Sequence, residues 1–349
     1  MMKNHELRDA GFQLTVFDES SKLKNIKAQV TKRAIAWADT QRFVYLLSGT
    51  PAPNSELEYW PQVRCVDQTV WGHSFYGWRP RYFYPTGFEN HVWKIQPEQK
   101  SKLFYDLASV SEVVRREDVL DLPERTFNVR EVTLDEAEAR AYKDMKSRAI
   151  LEIESEKIKA VNAGAKLMKL REGTSGFYLD EDGRAHDVGK SKLNELADLL
   201  DEIGDHQVLI WFHFHHEGDL ISRLLTTRAG VQSWGRVDGT VGSQYVKDEW
   251  VRRFQTGEIK YLLAHPASLG HGVTLVNCVY AIYFSLSHSL ELHQQSQDRI
   301  YRKGQTRPCS YYFLAAKGTV DGAIMNALAR KKKVVDEVMD FIMGGKNVG

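Results

Sequence analysis

Cysteine is scarce: Cys65, Cys278 and Cys309 are the three in 349 residues, far apart and with no C-x-x-C pair. That excludes a disulfide framework and a zinc ribbon as the organising device, and a reducing compartment is expected. No apolar run approaches the roughly 18 residues a bilayer-spanning helix needs, and the opening MMKNHELRDAG has no signal-peptide core. A soluble protein of a cytoplasm, bacterial or of an infected cell, with no membrane partner, is the expectation. An excess of either charge is also missing. Lys and Arg number 47 against 46 Asp and Glu, a net +1, so any surface for nucleic acid must be local. Finally, no G-x-x-x-x-G-K-[ST] phosphate cradle stands between a strand and a helix. Gly189-Lys190-Ser191 comes nearest, but Gly183 lies one residue too far upstream and Asp180 to Gly183 reads as a turn; Gly345-Lys346 is followed by no helix.

What is present is the composition of a globular protein, 42% hydrophobic and 27% charged, long enough for two domains. Near its end stands Gln294 to Gln305, QQSQDRIYRKGQ. The spacing predicts a helix that projects Gln295, Arg299 and Arg302 from one face, with Gly304 as its stop. Two guanidiniums and an amide on one stripe suit a phosphate whose charge rises during transfer, because their planar donors match its oxygens. A solvated arginine pair on a surface helix is the other reading.

The chain opens with a β-rich run, Phe12 to Phe17, that finishes in Asp18-Glu19-Ser20-Ser21. Carboxylates at the carboxyl end of a parallel strand lie where open α/β sheets place ligands. There Asp18 can hold Mg²⁺ through water, and Glu19 can orient and deprotonate an attacking water; a plain surface turn is the alternative. Thr31 to Asp39 reads as a helix and Arg42 to Leu47 as a strand ending in Ser48-Gly49-Thr50-Pro51, small residues that allow close backbone approach. Farther on, strands are expected at Val208 to Phe212, Val231 to Trp234, Tyr261 to Ala264, Val279 to Phe284 and Tyr311 to Leu314, with helices between them, the pattern of a doubly wound parallel sheet.

In that order, FDESSKLKN, LSGTPAPNSELEYW, VLIWFHFHHEGDLI, SLGHGVTL and QQSQDRIYRKGQ resemble motifs II, III, IV, V and VI of the Swi/Snf-type branch of superfamily 2 helicases, DEAD/DEAH-box relatives that are ATP-driven DNA translocases. The closing Gly304-Gln305 is similar to the DNA translocases rather than to RNA helicases. The resemblance implies an α/β fold of two RecA-like parallel-sheet lobes, 1–130 with an incomplete sheet and 131–349 complete, and ATP and Mg²⁺ as cofactors. It implies Glu19, Arg299 and Arg302 as catalytic and Asp18 and Glu19 as the Mg²⁺ pair. Gly270, Gly272, Gln295, Arg299 and Arg302 become nucleotide contacts, and Ser48, Gly49, Thr50, Ser268 and His271 couple to DNA, expected to be duplex.

Between motifs III and IV lies WGHSFYGWRPRYFYPTGFENHVW, Trp71 to Trp93, read as a buried aromatic insertion, or else as a base-stacking surface. Arg115 to Glu124 reads as the link between lobes, and Thr133 to Lys169 as one long charged helix. His213, His215 and His216 read as structural rather than metal-binding. Arg330 to Lys333 suits either a solvated helix face or DNA phosphate. Without the phosphate cradle, nucleotide affinity and turnover should collapse, and the first lobe should expose a sheet edge and apolar faces to water. Two functions follow from different classes. One is the carboxyl-terminal portion of an ATP-dependent translocase, inactive until a P-loop-bearing polypeptide completes it; the other is a non-hydrolysing DNA-binding or regulatory module derived from such an ATPase.

Overall fold

Leu14–Phe17 (β1) and Phe43–Leu46 (β2) lie side by side in parallel, Leu14 against Phe43 and Val16 against Tyr45. The computed structural model describes residues 11–86, 92–155, 160–269 and 272–345. The chain folds as two units, Met1–Asp118 with Ala329–Gly349, and Val119–Leu328.

In the first unit, Gln29–Ala38 (α1) crosses between the two strands. Phe17, Val44 and Leu46 turn one face of the pair toward Leu23, Ala34, Ala38 and Cys65. The other face carries Leu14, Val16, Phe43 and Tyr45, each about half exposed. This is unusual for parallel strands, which are ordinarily covered on both sides. Next come Tyr59–Val66 (α2), Phe75–Tyr82 (α3), an antiparallel hairpin of Phe83–Thr86 (β3) and Val92–Ile95 (β4), and Lys100–Ala108 (α4). The aromatic insertion is largely core: Trp71, Trp78, Tyr82 and Phe83 are buried around Trp60 and Phe104. Tyr76 and Tyr84 remain outside, and the Arg79 guanidinium lies 3.7 Å from the Trp93 ring centre. Residues 87–91 of that insertion lie outside the described residues.

The second unit is built on a six-stranded sheet. Its strands are Arg125–Val132 (β5), Val208–Trp211 (β8), Trp234–Val237 (β9), Tyr261–Ala264 (β10), Tyr280–Tyr283 (β11) and Cys309–Ala316 (β12), in the order β5-β12-β11-β8-β10-β9 with every pair parallel. A short hairpin, Phe177–Leu179 (β6) with Ala185–Asp187 (β7), stands apart from this sheet. β8 and β10 read VLIW and YLLA and are buried at every position, as strands with helices on both faces must be. Leu196, Ile210, Phe212, Ile221, Leu263 and Ile282 form the centre of the core. The strand order reverses at β8, which has β10 on one side and β11 on the other, so the carboxyl end of β8 is the topological switch point.

The helices of this unit are Glu136–Ser155 (α5), Ala160–Thr174 (α6), Ser191–Ile203 (α7), His215–Ala229 (α8), Gln244–Gln255 (α9) and Leu290–Gln297 (α10). Val320–Gly345 (α11) begins here, while its second half buries Val338 and Ile342 in the aromatic core of the first unit. Three expectations shift. The long charged helix is two helical segments, with 156–159 outside the described residues. The strand expected at Val231 to Trp234 starts only at Trp234 and runs to Val237. β5 crosses the expected 130/131 division and pairs along its whole length with β12, so the units divide at 118/119 instead.

Candidate functional site

β1 delivers its acidic turn at the carboxyl end of a parallel strand. Asp18 accepts the Glu19 N–H at 2.8 Å, and Glu19 sits at φ 51°, ψ 52°, the one non-glycine in the left-handed region among the described residues. For an L-residue that conformation stores roughly 1–2 kcal/mol. The next residue is held twice. Ser20 donates its N–H to Leu47 O at 2.9 Å and its buried hydroxyl to Gln62 Oε1 at 2.9 Å. An exposed carboxylate with one oxygen engaged by backbone, beside a second carboxylate, is a donor set that Mg²⁺ accepts, since that ion keeps most of its waters.

Ser48, Gly49 and Thr50 follow β2, so the parallel pairing brings them beside the acidic turn. Ser48 Oγ accepts the Thr50 N–H at 3.2 Å, Thr50 is buried, and a Cβ at Gly49 would meet nothing within 4 Å. Gln62, on α2, donates to Pro51 O at 2.7 Å and to Glu58 O at 2.9 Å. Asn54 at the end of this loop is held by Glu58 and by Lys331 Nζ, 3.0 Å away.

The arginine segment departs from the expected geometry. α10, capped by Ser289 through the Leu292 N–H, ends at Gln297, so Gln295 is helical but Arg299 and Arg302 are not. The Tyr311 hydroxyl donates to the Gln297 carbonyl at 2.9 Å, and the chain turns so that Ile300 and Tyr301 are buried. Both arginines then reach the glycine loop that follows β10: Arg299 Nη1 donates to Val273 O at 3.3 Å and Arg302 Nη1 to Gly272 O at 3.4 Å. Leu275 N–H returns a bond to Arg299 O at 2.8 Å. Gly272 has φ 84° and Gly304 φ 99°, so both ends of this clasp need glycine freedom. Gln305 fastens it. Its Nε2 donates to the Val276, Cys278 and Ile300 carbonyls, and its Oε1 accepts the Thr306 and Arg307 N–H groups. Ser268 N–H bonds His265 O at 2.9 Å, and Gly270 and His271 lie outside the described residues.

Each set of site residues is therefore assembled within its own unit: Asp18, Glu19, Ser48, Gly49 and Thr50 in the first, and Gly272, Arg299 and Arg302 in the second.

The Gly189-Lys190-Ser191 stretch is occupied by the protein itself. The buried Glu138 carboxylate accepts the Ser191 N–H at 3.0 Å, its hydroxyl, and the Asp135 N–H at 3.0 Å. A carboxylate thus satisfies the amino end of α7 where a phosphate would otherwise go. The histidines part company. His215 Nδ1 lies 3.1 Å from Asp238 and His216 Nε2 2.6 Å from Asp187, while the His213 ring meets the His265 ring edge to face at 5.5 Å. Burial first, then the Arg171 guanidinium, holds the His213 pKa well below its ordinary value.

Sequence reasoning misses Gln62 and Glu217. Glu217 is fully buried beside the switch point, accepting the Ser175 and Ser285 hydroxyls at 2.5 and 2.8 Å and the His213 and Phe214 N–H groups. Its signal is an acid in the first turn of a helix directly after an apolar strand; that of Gln62 is a lone amide within the apolar Tyr59-Trp60-Pro61 and Val63 run.

Comparison with known proteins gives two consecutive family matches, the SNF2-related domain over residues 2–174 and the helicase conserved C-terminal domain over 191–304. Protein p41 of Acyrthosiphon pisum secondary endosymbiont phage 1 is 28% identical over 347 residues, covering 94% of this chain and 72% of its own. The SWI/SNF-related matrix-associated actin-dependent regulator of chromatin subfamily A-like protein 1 of Drosophila melanogaster is 28% identical over 348 residues, 98% of this chain and 43% of its own. The chain thus spans less than half of that chromatin-related relative. Among solved structures, the Sulfolobus solfataricus SWI2/SNF2 ATPase core in complex with dsDNA superposes with a TM-score of 0.51 at 19% identity, over 93% of this chain and 68% of that one. The C-terminal part of the Fun30 ATPase domain gives 0.50 at 16% identity, over 64% of this chain and 97% of that one. The fold is that of RecA-like lobes.

Proposed function

Because the chain belongs to the SNF2-related, helicase-like proteins, we propose that it is the carboxyl-terminal portion of an ATP-dependent DNA translocase, completed by a P-loop-bearing polypeptide outside these 349 residues. The observation that carries this reading is the pair of half-sites: a strained acidic turn at a strand end in one unit, and two arginines clasped to a glycine loop in the other.

In the working assembly Asp18, with Glu19, would hold Mg²⁺, and Glu19 would orient the attacking water and take its proton. When bound, the ion neutralises charge on the phosphate oxygens. Arg299 and Arg302 face the γ-phosphate, where their guanidinium donors stabilise the charge that grows in the transition state. Gln295 and the Gly270–Gly272 loop complete the nucleotide contacts. Ser48, Gly49 and Thr50, with Ser268 and His271, pass closure of the lobes to duplex DNA.

The bare face of the β1–β2 pair supports a missing cover. Leu14, Val16, Phe43 and Tyr45, with Phe12 and Leu47 beyond the strand ends, are all about half exposed on strands of a kind that is normally buried on both faces. A further α/β segment bearing the phosphate loop fits that face. The isolated chain is then inactive, because without the cradle the triphosphate has lost its main donors.

The test is ATP turnover titrated with duplex DNA, for the chain alone and mixed with a fragment holding the complete amino-terminal part of such a lobe. DNA-dependent turnover in the mixture alone is expected. No turnover with any such fragment would reject the reading.

A further inference from the structure

One buried amide touches both the acidic turn and the Ser-Gly-Thr-Pro loop. Gln62 is 5% exposed and Ser20 2%. The Gln62 Oε1 accepts the Ser20 hydroxyl at 2.9 Å, and its two N–H groups go to Pro51 O at 2.7 Å and Glu58 O at 2.9 Å. The amide orientation follows from these partners, since turning it over would set its oxygen against two carbonyl oxygens. Glu58 lies one helical turn back, immediately before α2, so the amide is anchored to that helix while it spans two loops.

Its position explains how the strain at Glu19 is kept. A left-handed non-glycine residue persists only where its surroundings over-determine it. Here the following residue is fixed by backbone through Leu47 and by side chain through Gln62. Release of the Ser20 hydroxyl leaves the turn held by backbone bonds, the Ser20 N–H on Leu47 O and the Lys22 N–H on Glu19 O, without its tie to Gln62, and so loosens it.

We infer that Gln62 is a positioning residue, which holds Glu19 in its strained conformation through Ser20 and ties that turn to the Pro51 carbonyl, so that a shift of either loop is passed to the other. The bridge itself stands on geometry; its meaning for turnover rests on the proposed roles of Asp18 and Glu19.

The test is a double-mutant cycle on the full chain, followed by the thermal midpoint. Glu19→Gly, which removes the strain, should raise the midpoint in the wild-type background, and Gln62→Leu should abolish that gain. Ser20→Ala cuts the same bond from the other side and should abolish it as well, which keeps the test open if Gln62→Leu fails to fold. Additive effects in either background would overturn the inference. A second arm uses the chain complemented with a P-loop fragment. Ser20→Ala/Gln62→Leu removes the Ser20 bond from both sides but also takes the amide donors from the Pro51 and Glu58 carbonyls, so its midpoint should stay below wild type, and it should lose about tenfold of the DNA stimulation of kcat with KM for ATP unchanged. Full DNA stimulation in that variant would overturn the positioning role. If the wild-type mixture shows no turnover, the proposed function fails and the cycle alone decides the bridge.

Discussion

The Arg299 guanidinium donates to the carbonyl of Val273 at 3.3 Å, and the Leu275 N–H donates back to the Arg299 carbonyl at 2.8 Å. Arg302 makes the parallel contact to Gly272, so the arginine segment and the glycine loop form one clasp. Arg299 is buried and Arg302 is half-buried, which separates the costs of removing them. Arg302→Ala should change stability by no more than about 0.5 kcal/mol, while turnover in the complemented enzyme falls by about 10³-fold as a transition-state charge partner is lost. Arg299→Lys keeps the charge and loses the planar fork, and should lower both turnover and the denaturant midpoint. Normal turnover in Arg302→Ala would remove it from the catalytic set.

Glu19 offers a trade between stability and chemistry. Glycine adopts the left-handed region without strain, so Glu19→Gly should stabilise the chain by about 0.5–1 kcal/mol in urea denaturation while eliminating turnover. Glu19→Gln keeps the strain and should match wild-type stability, again without turnover. A destabilised glycine variant would show that the turn is not strained in solution.

Glu138 bonds the Ser191 N–H and hydroxyl and the Asp135 N–H from a buried position. Glu138→Ala takes the acceptor from the Ser191 N–H, while the Asp135 N–H keeps Ser191 Oγ at 3.1 Å, and should cost about 1–3 kcal/mol by chemical denaturation. Gly189→Ala should also destabilise, because an added Cβ would strike the Glu138 side chain. Inorganic phosphate should leave the wild-type thermal midpoint unchanged; a rise would mean that this helix end binds anions after all.

The strands most legible in the sequence are those with nothing to hide. VLIW and YLLA are apolar throughout because both of their faces are dry. Pattern alone places β9 too early because Val231, though apolar, is 60% exposed, whereas the strand itself contains Arg236. Arg236 is tolerated there by Asp219 and Asp238, partners that only the fold brings together. The end of α10 is hidden for a similar reason. Periodicity carries a helix through Arg302, but the Tyr311 hydroxyl and the buried Ile300 end it at Gln297. Gln305 stands in plain view in the sequence; its five bonds to the backbone do not. Local pattern therefore recovers the layers of the sheet, while tertiary partners decide how the arginine segment and the glycine loop are clasped.

His213 sets a sign for the dependence on acid. Its ring is held neutral in the folded chain, by burial first and then by Arg171, with His265, His293 and His288 adding to the effect. The unfolded chain takes up that proton near the ordinary value of 6.5. Protons therefore favour unfolding below that pH, and stability should fall from pH 7 toward pH 5 by up to about 1.4 kcal/mol per pH unit for one proton. His265, also lowered by burial and then by His215, steepens the fall. His213→Gln should flatten the curve of unfolding free energy against pH in that window, and an unchanged slope would show that His213 titrates freely when folded.

The exposed face of the β1–β2 pair separates the chain alone from the proposed assembly. Val16 and Tyr45 are register partners, 52% and 59% exposed. Val16→Lys sets a charge on that face, where the chain alone leaves it in water, so its stability should change by about 0.5 kcal/mol or less. Self-association, followed by sedimentation, should decrease because an apolar patch has been broken. In the mixture with a P-loop-bearing fragment the same charge would be buried without a partner, which costs several kcal/mol and should abolish the regained turnover. A large loss of stability in the isolated chain would mean that its own residues already cover the face. Undiminished turnover in the mixture would mean that the completing segment docks elsewhere.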